Sequence, residues 1–129
     1  MKIVFAVFLL IHALAHGVGF LTVSGLVKNS DQPSDPTFLL TRFPPEHRVF
    51  KIMAVIWLIA LVGFAIAGIG VLAEASWAFT ATVAAAILST ILSVIWVKSA
   101  PFGVVANLIV IAALVVPWVS DRVFPSIMA

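Results

Sequence analysis

The chain is 129 residues long, 64% hydrophobic and only 9% charged, with a mean hydropathy of +1.27. A soluble domain is about half apolar and a quarter charged, so this composition belongs to the integral membrane class. The absence of cysteine excludes disulfides, iron–sulfur clusters and thiolate metal sites within the chain, and a net charge of +2 is too small to suggest nucleic-acid binding.

The first predicted helix covers residues 2–27, an apolar run long enough to cross the ~30 Å hydrocarbon layer with some tilt. Lys2, the apolar core and Ala13-Leu-Ala15 imitate a secretory signal, but the run continues to Leu26, so a retained helix is expected. His12 and His16 stand four residues apart, which sets both rings on one face, in a stripe with Phe5, Leu9, Gly19 and Val23. Gly17 and Gly19 leave space beside His16 for a neighbouring helix or a ligand.

Residues 28–45 form the long polar connection. Pro33, Pro36, Pro44 and Pro45 prevent a continuous helix, and Phe38, Leu39, Leu40 and Phe43 are expected at the headgroup level. A second helix is predicted over 46–73, with Glu46 in its first turn, where negative charge is favoured. Its small residues Ala60, Gly63, Ala67 and Gly70 share one stripe, a close-packing surface for another helix of this chain or for self-association with a second copy.

A short turn at Glu74 leads to a third helix over 76–97, with Trp77 and Trp96 expected as interface anchors. Thr82, Ala86, Ser89 and Ser93 lie on one face, with Thr90 beside it. Such hydroxyls commonly bond back to their own helix, and the other role open to them is to line a polar site. The fourth helix is predicted over 101–116, with Pro101 in its first turn and Asn107 inside it, whose amide needs partners that hydrocarbon does not offer. Pro117-Trp118 ends or kinks this helix, and Asp121, Arg122 and the tail are expected at the interface or in solvent.

The whole therefore reads as a single all-α domain over 1–129, a four-helix transmembrane bundle in the cell membrane, with the lipid bilayer as its first partner. Lys28, Arg42, Arg48, Lys51 and Lys98 lie on the side of the long loop, against Lys2 and Arg122 on the terminal side. The positive-inside rule then places the long loop in the cytoplasm and both termini outside. Asn107, Ser89, Thr90 and Ser93 all lie at depths reached from the long-loop side. Together they predict a polar funnel that opens on that side and ends at the two histidines.

Three chemistries compete for the histidine pair. Each imidazole can simply be satisfied by a neighbouring helix, as buried polar groups normally are. Two histidines at this spacing can clamp a metal, although zinc wants four ligands and the spans offer no Cys, Asp or Glu; His47 would have to fold inward, or a second copy would have to supply another pair. One histidine can ligate haem or a pigment, or handle protons or a quinone. Two on one helix cannot clamp opposite faces of a single haem. No hydrolase, kinase or dinucleotide motif is present, so no enzymatic activity is assigned and no catalytic residue is named.

Two segments carry a resemblance. His12-Ala-Leu-Ala-His16-Gly-Val-Gly19-Phe20 resembles the HxxxHxxGF opening of a group of small bacterial four-helix membrane proteins, and Phe102-Gly103-Val-Val-Ala106-Asn107 resembles that group's FGxxAN segment. Some members of the group carry a permease label. The chain departs from the group's pattern in its Pro-rich first loop and at Pro101. The resemblance marks His12, His16, Gly19, Phe102, Gly103 and Asn107 as positions of interest and supplies no activity.

The leading expectation is an accessory or structural subunit of a membrane complex, or a homo-oligomer. The alternatives are a protein binding a cofactor or substrate (pigment, haem, metal or quinone) at His12, His16 and Asn107, and a small transporter component.

Overall fold

The computed structural model describes residues 1–27, 36, 40–44 and 46–124. They form five helices and, among the described residues, no strand: α1 (Lys2–Val23), α2 (Arg48–Leu72), α3 (Ala78–Ile95), α4 (Pro101–Val115) and α5 (Pro117–Val123). The first three are long and apolar enough to cross a membrane. The apolar α4 has 15 residues, about 22 Å of helix, short of a ~30 Å core.

Helix ends differ from the expected ones for local reasons. α1 stops at Val23 rather than at 27 because Gly25 takes a left-handed φ of 77°, and its N–H turns back to the Thr22 carbonyl at 3.1 Å. α2 begins at Arg48, and its cap is the His47 ring, whose Nδ1 accepts from the Val49 N–H at 3.2 Å. Glu46 therefore lies outside the first turn instead of within it. α2 closes on a Schellman turn in which the Ala75 N–H reaches the Gly70 carbonyl at 3.0 Å and Glu74 adopts φ 55°. The Glu74 carboxylate pairs with Lys2, which ties this turn to the start of α1.

The helices pack in sequence order, α1 on α2, α2 on α3 and α3 on α4. The small-residue stripe of α2 is an internal seam. A Cβ on Gly63 would meet Ala85 at 3.4 Å and one on Gly70 would lie 2.5 Å from the Trp77 ring, both contacts with the α3 side, while Ala60 and Ala67 are fully buried. At Gly63 and Gly70 the stripe therefore meets the α3 side of the same chain.

α1 and α4 have no comparable backbone packing and leave a seam between them, at one end an apolar groove of about 530 Å³ that includes Val4, Phe8, Ile109 and Ala112.

The fifth helix was not expected. The chain breaks at Val116 and restarts with Pro117 in the first turn of α5, where its missing N–H costs no hydrogen bond. Asp121 and Arg122 are exposed, as expected, and the turn folds back beyond them: Val123 and Phe124 are buried, and Phe124 meets Phe5 and Phe79 edge-on, at centroid distances of 5.9 Å and 5.3 Å. This aromatic contact packs α5 against the end of the core that carries the start of α1. At the other end, the described part of the long connection includes Leu40 and Phe43, which pack against an apolar cluster rather than standing free. Phe38 and Leu39 lie outside the described residues.

Candidate functional site

The apolar core falls into two clusters. One holds Phe5, Leu9, Phe64, Val71 and Phe124 near the termini; the other holds Val23, Phe50, Trp57, Leu92 and Trp96 near the long loop. A polar layer crosses the bundle at their junction: His12 and His16 from α1, Ser89 and Ser93 from α3, and Asn107 from α4, all buried. Packing aims them inward, since α1 buries Phe5, Leu9, His12, His16 and Val23 along the stripe that the i+4 spacing implies.

The bonds within this layer form one connected path. His16 Nδ1 lies 2.9 Å from the His12 carbonyl oxygen, which can only accept, so Nδ1 carries the proton. In the neutral ring Nε2 is then an acceptor, and it takes the Ser89 hydroxyl proton at 2.8 Å. His12 Nε2 faces Asn107 Oδ1 at 3.2 Å and the same Ser89 oxygen at 3.4 Å, so this nitrogen donates. Asn107 Nδ2 in turn donates to Ser93 Oγ at 3.1 Å. The two histidines thus hold opposite tautomers, His16 protonated on Nδ1 and His12 on Nε2. The path links α1, α3 and α4, and the His12–Asn107 bond spans the α1/α4 seam.

Aromatic rings fix the imidazoles in place. His12 stacks on Phe8 at 6.1 Å and meets Phe64 edge-on at 4.6 Å; His16 lies 5.2 Å from Trp57 and 5.3 Å from Phe64. Gly19 makes this possible, because a Cβ there would come within 2.3 Å of the Trp57 ring. The hydroxyls of α3 divide by role. Thr82 and Thr90 bond back to the carbonyls of Ala78 and Ala86, at 2.8 Å and 2.7 Å, whereas Ser89 and Ser93 join the polar path.

Beside the polar layer lies a cavity of about 240 Å³. His12, His16 and Ser93 stand at its inner end, Trp57 and Trp96 form walls, and Thr22, Ser99, Phe102 and Gly103 belong to its long-loop end. Of the groups expected to form a funnel, Ser93 and the two histidines line this cavity, Ser89 and Asn107 bond within the layer behind it, and Thr90 turns back to its own helix. Trp96 corrects another expectation: it is no outward-facing anchor but is 2% exposed, edge-on to Trp57 at 5.9 Å. Trp57 was not singled out in the sequence. Its indole N–H is buried with no hydrogen-bond partner among the described residues.

The six positions marked by the two sequence segments meet here. His12, His16, Gly19, Phe102 and Gly103 line the cavity, and Asn107 bonds His12 from behind. His47 does not fold inward; it is exposed, its ring stacks near Phe43 at 4.6 Å, and its Nδ1 is spent on the α2 cap. Among the described residues no three metal-ligating side chains come together. No family model, no curated protein and no solved structure matches the chain.

Proposed function

We propose that this chain is a four-crossing membrane protein that binds a small molecule in its interior, with His12 and His16 in the polar wall of the site and Asn107 holding His12 from behind. The observation that carries this reading is the cavity whose inner end is the histidine layer and whose other end lies toward the long loop. α4 supplies the fourth crossing in this reading, with α5 completing its depth, and the basic residues of the long-loop side put the cavity mouth in the cytoplasmic leaflet.

Haem or metal ligation fits the site less well than a hydrogen-bonded ligand. Both His16 nitrogens and His12 Nε2 are already spent within the chain, which leaves His12 Nδ1 as the one nitrogen of the pair open to coordination among the described residues. The same satisfied path favours a second reading, an accessory or structural subunit in which the polar layer only clasps the helices. A transport role would need a second copy to enclose a path.

Native mass spectrometry of the protein released from mild detergent separates the two main readings. The binding reading expects a retained small-molecule mass that is lost from Ala15→Phe, which places a ring on the cavity wall. Identical spectra for the wild type and this variant, both helical by circular dichroism, would leave the clasp alone.

A further inference from the structure

Two hydrogen-bond donors stand unspent, among the described residues, at the inner end of the cavity. Ser93 Oγ accepts from Asn107, and its own hydroxyl proton has no acceptor among the described residues. Trp57, whose ring also lines the cavity, has a buried indole N–H with no partner among the described residues, an unfavourable state when nothing relieves it. Among the described residues, the side chains lining the cavity include no Asp, Glu, Lys or Arg, so a charged ligand would meet no countercharge from them. Apart from the two histidines, Thr22 and Ser99, the rest of the lining is apolar or aromatic, with Val18, Val23 and Phe102 toward the long-loop end. The α1/α4 seam, bridged by the His12–Asn107 bond, continues beyond it as the apolar groove beside Val4, Phe8 and Ile109.

We infer that the ligand is an uncharged, bilayer-soluble molecule bearing a carbonyl-type acceptor, with its carbonyl taken up by the Ser93 hydroxyl and the Trp57 indole and its apolar body along the seam. This rests on the binding reading above and narrows it to one chemical class. The volume of about 240 Å³ suits a single ring or comparable head group, below the ~300–1,000 Å³ of drug-sized pockets. Neutral donors facing a neutral acceptor give a modest preference, about 0.5–1.5 kcal/mol for each bond.

The test uses the full chain in lipid nanodiscs and three probes: a decyl-substituted benzoquinone, decylbenzene as the same shape of body without a carbonyl, and decyl phosphate as the charged comparison. Binding is read by equilibrium dialysis. The quinone should bind best, and Ser93→Ala and Trp57→Phe should each weaken it about twofold to tenfold, while Ser93→Thr, which keeps the hydroxyl, should restore it. Equal binding of decylbenzene, or indifference to both variants, would overturn the assignment in favour of a purely apolar cavity. Preference for the phosphate would overturn it on charge. If none of the three probes binds while a retained mass still depends on Ala15, the carbonyl class falls and the binding reading stands. If the retained mass is also missing, both fall.

Discussion

Asn107 offers the sharpest perturbation of the polar layer. Asn107→Leu keeps the side chain's approximate size and deletes both amide contacts. His12 Nε2–H loses its acceptor at 3.2 Å and Ser93 Oγ loses its donor at 3.1 Å. Interhelical hydrogen bonds in membrane proteins average about 0.6 kcal/mol and reach about 1.7. Two of them, less what His12 recovers from Ser89 at 3.4 Å, give an expected destabilisation of about 1–3 kcal/mol. The loss should be specific to the pair. A double-mutant cycle of His12→Leu with Asn107→Leu should return a coupling of about 0.6–1.7 kcal/mol. Reversible unfolding in mixed micelles with increasing SDS, followed by circular dichroism, measures all four proteins. Additive single effects, or an Asn107→Leu variant as stable as the wild type, would refute the bridge across the α1/α4 seam.

Two further predictions follow from the same geometry. Gly19→Ala drives a methyl into the Trp57 ring and should cost about 1–3 kcal/mol, largely recovered when Trp57→Leu is added; an unaffected single variant would remove the close approach. Because the chain has no cysteine, single substitutions report topology without background: Thr41→Cys should react with an impermeant maleimide only after cells are opened, and Asp121→Cys should react in intact cells, the reverse pattern inverting the proposed orientation.

How much of this was legible from the residues depends on their polarity. In a chain this apolar every helix face is hydrophobic, so periodicity says little about which side is inside. The few polar residues carry the signal, because hydrocarbon tolerates them only where protein answers them. His12, His16, Ser89, Ser93 and Asn107 were all identifiable by that rule, and all of them lie in the buried layer. Trp96 misled because tryptophan near a helix end ordinarily marks the interface, and nothing local distinguishes one that turns inward onto another indole.

Trp57 carried no mark at all, since its place opposite Gly19 is set by how α1 and α2 pack. The α5 turn was hidden by Asp121 and Arg122, which suggested solvent. What holds it is burial of Val123 and Phe124 against residues far away in sequence. Helix ends shifted where a single group decided them: Gly25 through its φ, and His47 through a ring nitrogen in a role usually given to Ser, Thr, Asp or Asn.

The placement of the two imidazoles inside the protein is tested most directly by ¹⁵N NMR of histidine-labelled protein in bilayers. Each ring is assigned by its loss in His12→Leu and His16→Leu. The account predicts two fixed and different tautomers, His16 protonated on Nδ1 and His12 on Nε2, each coupled to its partner. A single averaged signal, with both rings exchanging tautomers as free imidazoles do, would contradict it.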